Sequence, residues 1–162
     1  MDSGSISLGL MAMLAVLVIA AAVSDLRSRT ISNGLNGTIA LLAIPFWLVS
    51  GLSAWPDMTV QIGAAVLVFL LFAGLFFLGG MGGGDVKMIG AMMLWIPLPL
   101  FMPTLTVMAI AGGILSAVML IHIKMRPSDK PVEVPYGVAI AVAGLWALHQ
   151  QYFNQFQSIA SS

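Results

Sequence analysis

The sequence predicts an all-α, polytopic membrane helix bundle, and three observations predict it. Of 162 residues, 60% are hydrophobic and 7% are charged, whereas a soluble domain carries charge on roughly a quarter of its residues. The apolar residues gather into about six runs, several of them near the roughly 20 residues that cross a hydrocarbon core. Finally, every Lys and Arg falls in an alternate connection between those runs.

The first run, Ile6–Val23, follows a short stretch containing Asp2 and no Lys or Arg. It lacks the basic start of a cleaved signal and reads as a retained span, although Ala20, Ala21 and Ala22 mimic a cleavage site. Thr38–Leu52 is shorter, with Trp47 and Trp55 placed to seat it at an interface. Met58–Leu78 is amply long. Val86–Ile96 is short and ends at Pro97, Pro99 and Pro103. Thr104–Ile123 qualifies, and Pro135–Gln150 is again somewhat short, with Trp146 near its far end. Between the last two, Lys124–Val134 is the longest hydrophilic stretch and reads as a loop, since Pro127 and Pro131 interrupt any helix. Residues 1–162 thus read as one transmembrane domain.

The basic residues give the orientation. Arg27 and Arg29 lie between runs one and two, Lys87 follows run three, and Lys124, Arg126 and Lys130 lie between runs five and six. The positive-inside rule assigns these three connections to the cytoplasm and both termini to the outside. From Asp25 the chain crosses outward and returns, reaching Asp85 at the same, cytoplasmic face.

Composition also excludes classes. Formal net charge is zero, which gives a nucleic-acid partner no electrostatic support. There is no cysteine, hence no disulfide, thiolate metal site or cysteine nucleophile. His122 and His149 fall by parity on opposite faces and read as boundary residues. The twelve methionines read as lipid-facing or packing side chains rather than metal ligands. No metal or other cofactor is expected. Gly112 and Gly113 with Ser116 suggest close helix packing.

The chemistry concentrates in Gly79-Gly80-Met81-Gly82-Gly83-Gly84-Asp85-Val86-Lys87, a glycine-rich turn between apolar runs. Two close carboxylates do not both ionise readily, and a mixed protonation state is what hydrolysis by an acid pair requires. Asp25 and Asp85 are therefore the candidate catalytic residues. Gly82, Gly83 and Gly84 are candidates for letting a substrate backbone lie beside the loop. The plainer reading makes the loop a flexible hairpin with Asp85 as an N-cap, and Asp25 a solvated boundary residue. Lys87 reads first as a topology determinant that snorkels to the headgroups, and secondly as a loop residue biasing Asp85 towards ionisation.

These residues resemble a known family, the type IV prepilin peptidases, which are membrane aspartyl proteases of the GxGD class. Three segments carry the resemblance. Gly82-Gly83-Gly84-Asp85-Val86-Lys87 fits the GxGD-x-K motif; Asp25 with Arg29, Ile31 and Asn33 fits the first aspartate motif; and Val134-Pro135-Tyr136-Gly137-Val138-Ala139 fits the pattern that opens the last span. It is most similar to the short form of tight-adherence pilus systems. Ser32 stands where the family usually has proline, and the cysteine-bearing zinc insert of long forms, associated with methyl transfer, is missing. The resemblance implies an aspartic endopeptidase of the bacterial inner membrane, with Asp25 and Asp85 as its catalytic acids facing the cytoplasm. Its implied substrate is a type IV prepilin-like or Flp-type pilin precursor with a basic leader, a glycine before the cut and an apolar helix in the bilayer after it. Two other readings stand beside it. A presenilin-like intramembrane protease would pair GxGD with Tyr-Asp and Pro-Ala-Leu, but Ser24 precedes Asp25 here. A non-enzymatic membrane scaffold or transporter subunit would line its path with polar groups inside the spans, which hold few.

Overall fold

A computed structural model describes residues 3–125 and 134–160. Within them the chain forms six α-helices: α1 (Ser3–Ser28), α2 (Asn33–Val49), α3 (Thr59–Phe77), α4 (Gly83–Met93), α5 (Phe101–Met125) and α6 (Tyr136–Ala160). The expected loop Lys124–Val134 lies largely outside the described residues.

Helix ends differ from the apolar runs for local reasons. Ser32 is the N-cap of α2, and its Oγ accepts the Leu35 N–H at 3.2 Å. The helix therefore opens at Asn33 rather than Thr38. Ser32 adopts φ −65°, the angle that a proline would impose, so serine reproduces the turn and adds a cap. Helix α5 starts ahead of Pro103 because proline in a first turn forfeits no intrahelical bond. Helices α2 and α3 both close on a glycine in the left-handed region, Gly51 (φ 75°) and Gly79 (φ 76°). In each, the glycine's own N–H and the following one fold back: Gly51 and Leu52 donate to Leu48 and Trp47, and Gly79 and Gly80 donate to Phe76 and Leu75. That double bond satisfies carbonyls that otherwise have no partner.

Three segments, Ser3–Ser28, Ala54–Phe77 and Leu98–His122, are long and apolar enough to cross a membrane, and Asn33–Val49 is a shorter apolar helix. Helix α4 is not: its 11 residues extend roughly 16 Å, about half of a hydrocarbon core. The polar half of α6, with Gln150, Gln151, Asn154 and Gln155, keeps it out of the long apolar class. Leu67, Leu71, Phe77, Met102, Leu120 and other large apolar side chains are exposed, as expected where lipid is the solvent.

Helix α4 is enclosed by α2, α3 and α6, while α6 also packs on α1 and α5. Seven α4 residues are buried, among them Met88, Ile89, Met92 and Met93. Its C-terminal carbonyls are answered by side chains: Gln61 Nε2 donates to Met93 O at 2.7 Å and to Ile96 O, and Trp47 Nε1 donates to Leu94 O at 2.8 Å. Trp95 Nε1 donates in turn to Ile39 O, and its ring stacks on Phe46 at 4.9 Å. Trp47 is thus a buried structural donor, which corrects its assignment to an interfacial belt. Trp55 is exposed.

Candidate active site

Asp25 sits in the last turn of α1, where it continues a buried row of Ser7, Met11, Leu14, Val18 and Ala21. Steps of three and four residues keep that row on one face, and α1 packs on α6. The acid is therefore turned into the bundle and is only 4% exposed. The Gly137 N–H, one of the donors left over in the first turn of α6, donates to Asp25 Oδ2 at 2.8 Å. A Cβ at residue 137 would lie 2.8 Å from that oxygen and 2.9 Å from both Asp25 Cβ and Ile31 Cδ1. Only glycine permits this approach.

Asp85 is not an N-cap. Gly82 takes that position, and Asp85 lies in the first turn of α4, its carboxylate accepting a backbone hydrogen bond at Gly82. A Cβ at Gly82 would sit 3.0 Å from Asp85 Oδ2. The carboxyl is 8% exposed and precedes the apolar stretch of α4. Burial first, and then the charge of Asp25, push it up to about 7, against the pull of the Gly82 bond.

Both acids line one cavity of about 550 Å³, together with Arg29, Gly80, Gly82 and Tyr136. Each is reached by a helix N-terminus, whose free N–H groups favour negative charge. The arrangement pairs a carboxylate that accepts a backbone N–H, at Asp25, with an acid displaced towards its protonated form, at Asp85, in one shared space.

The other expected loop residues are placed differently. A Cβ at Gly83 would lie 3.3 Å from the Phe76 ring, and one at Gly84 would lie 3.3 Å from the Ile31 backbone. Neither lines the cavity, so of the three glycines only Gly82 stands where a bound backbone would pass. Lys87 Nζ donates to Asn33 Oδ1 at 2.8 Å, on a groove between α2 and α3 that also holds Asn36 and Gly90. Gly112 does pack closely, its Cβ position 3.3 Å from the Tyr136 ring, whereas Gly113 meets nothing within 4 Å. His122 and His149 are exposed, and His149 lies 5.5 Å from the Phe153 ring.

Two contributors escaped the sequence reading. Asn36 Nδ2 donates to Gly84 O at 3.0 Å and fastens the glycine loop to α2; its spacing of three from Asn33 was the available signal. Gly137 stood within a recognised pattern, but nothing in the pattern tied its N–H to Asp25. A larger cavity of about 640 Å³ lies at the other end of α4, beside Trp47, Gln61 and Trp95. Its acid, Asp57, already accepts from the Ser53 N–H and hydroxyl at 2.9 and 2.8 Å, which leaves it a structural cap.

A family model described as the type IV leader peptidase family matches residues 12–117. The chain belongs to that family. The match includes both cavity acids and ends within α5, short of Gly137. Nothing matches among curated proteins or among solved structures. Family membership makes this a peptidase of leader peptides, and its apolar helices make it a multi-pass membrane protein.

Proposed function

We propose that the chain is an aspartic endopeptidase that removes the leader of type IV prepilin-like or Flp-type pilin precursors, using Asp25 and Asp85. The observation that carries this reading is the shared cavity: two buried acids on different helices face one space, and one of them is driven towards its protonated form by burial and by the other. In this reading Asp25, supported by the Gly137 N–H, takes a proton from water while the water oxygen attacks the scissile carbonyl carbon. Asp85 gives its proton to the carbonyl oxygen. Collapse of the resulting diol breaks the C–N bond: Asp25 passes its proton to the departing amine, and a diol hydroxyl returns one to Asp85. The two acids titrate as a pair, so these roles describe one microstate of it.

We further place the site at the cytoplasmic face of a bacterial inner membrane, both termini outside, with residues 1–162 acting as one domain. The alternating positions of Arg27, Arg29, Lys87 and Lys124 support that orientation. The short α4, enclosed by α2, α3 and α6, would present its N-terminus to the site. The precursor's apolar helix would remain in lipid while its basic leader reaches the acids.

The test is co-expression with an Flp-type precursor, with product mass and N-terminal sequence as readout. Asp25→Asn and Asp85→Asn should each lower cleavage by about 10³-fold or more, and the double variant should be little worse than either. Cleavage at the parental rate by either single variant would end the proposal.

A further inference from the structure

Arg29 follows the last residue of α1 with φ 55°, a region that non-glycine residues enter at a steric cost. The other helix ends of this kind use glycine, at Gly51 and Gly79. The turn that holds Arg29 is tied down on both sides. Ser24 Oγ donates to Thr30 O at 2.8 Å, Ser28 Oγ donates to Ser24 O at 2.8 Å, and the Ser28 and Thr30 hydroxyls lie 3.0 Å apart. The Arg29 N–H itself donates to Asp25 O at 2.9 Å, so the residue is locked to the turn that carries the acid.

Arg29 lines the cavity that holds Asp25 and Asp85. Its Nη1 is buried and has no hydrogen-bond partner among the described residues. A guanidinium N–H withdrawn from water without an acceptor is costly, and so is the backbone conformation that puts it there. Strain and an unanswered donor at one residue are the mark of a group kept for a ligand.

The charge of the cavity selects the ligand's chemistry. Two acids share it, and an added carboxylate would meet at least one negative charge. A neutral amide oxygen would not, and it accepts strongly from a cationic donor. We propose that Arg29 binds the substrate, its guanidinium donating to a main-chain carbonyl oxygen of the peptide held in the cavity beside the bond that is cut. The inference rests on the leader-peptidase reading of the two acids and adds a third contact within the same cavity.

Arg29→Gly separates this role from a structural one, because glycine relieves the positive φ while deleting the donor. The protein is reconstituted with an Flp-type pilin precursor in phosphatidylethanolamine–phosphatidylglycerol vesicles. The melting midpoint should stay at or above the parent's, and kcat/KM should fall about 10- to 100-fold, the range for losing a charged hydrogen bond. Millimolar methylguanidinium should restore several-fold of the loss, and methylammonium should not, since only the former presents the planar fork. Cleavage within about twofold of the parent, or a loss that methylguanidinium does not relieve, would overturn the inference. If Asp25→Asn and Asp85→Asn are inactive while Arg29→Gly is fully active, only this inference fails. A parent that does not cleave, or aspartate variants that do, would remove the peptidase reading and this inference with it.

Discussion

The two ends of α4 are built to opposite rules. At its C-terminal end the buried carbonyls of Met93, Leu94 and Ile96 accept from Gln61 and Trp47, and Trp95 is both hydrogen-bonded and stacked. At its N-terminal end the chain carries a glycine-rich loop, an acid raised by burial, and a positive-φ arginine whose Nη1, like the Oδ1 of Asn36, finds no partner among the described residues. A helix too short to span must satisfy its ends inside the protein, because lipid offers no partners. One end answers these carbonyls with side-chain donors and anchors the helix. The other leaves donors and acceptors unspent where a peptide, which brings its own N–H and C=O groups, can meet them. The difference teaches that rigidity at one end is what permits imperfect satisfaction at the other.

Beyond the two acids themselves, the largest expected effect lies where α6 touches this open end. Gly137→Ala places a methyl 2.8 Å from Asp25 Oδ2, and either the helix or the acid must shift. Displacing a reacting group by about 1 Å costs on the order of 10²-fold, so cleavage should drop 10- to 100-fold in precursor processing assays. Gly113→Ala, with open space around it, is the matched control and should cleave like the parent.

Next comes pH. The proton that Asp85 supplies is lost as pH rises through about 7, so cleavage should fall above that value, by up to about tenfold per unit. Stability should follow the same group with a definite sign. The folded carboxyl, near 7, holds its proton more tightly than the unfolded one at 3.8. The unfolded state therefore binds fewer protons between those values, and stability declines across that window and levels off above it. Melting midpoints of the parent should be lower at pH 8 than at pH 5, and Asp85→Asn should narrow that gap. An unchanged gap would mean that Asp85 is not the titrating group.

The closed end should break in stability rather than in chemistry. Gln61→Leu leaves the Met93 and Ile96 carbonyls without their donor, at a cost of about 1–3 kcal/mol. The protein that remains folded should cleave within about twofold of the parent, measured as kcat per active enzyme alongside the melting midpoint. A large fall in kcat with no loss of stability would dissolve the contrast between the two ends.

The sequence pointed to the two acids of the open end and to little of the architecture that holds them. Charge scarcity, the alternation of basic residues and the Gly82–Lys87 motif pointed to a membrane peptidase and to both acids. Helices that are apolar on every side, however, give no sign of which face is buried. The row from Ser7 to Asp25 has helical spacing, yet its neighbours are as apolar as its members, so the inward turn of Asp25 emerges only from packing on α6. The glycine run looked uniform but divides its work: Gly79 and Gly80 close α3, Gly82 makes room for Asp85, and Gly83 and Gly84 admit Phe76 and Ile31. The partners of Gln61, Trp47, Asn36 and Gly137 are distant backbone groups, which no local pattern encodes.

Lys87 tests where the open end stops. It stands two residues after Asp85, a step of about 200° around an α-helix, and its Nζ bonds to Asn33 on the α2 side rather than entering the cavity. That bond tethers α4 to the first residue of α2, but it is exposed, and exposed polar links contribute roughly 0–1 kcal/mol. Lys87→Met should therefore lower the melting midpoint only slightly and leave cleavage within about twofold. A tenfold loss of cleavage at unchanged stability would return the ammonium to the chemistry and extend the open end around the whole first turn of α4. A small effect would confine it to the face shared by Asp25, Arg29 and Asp85.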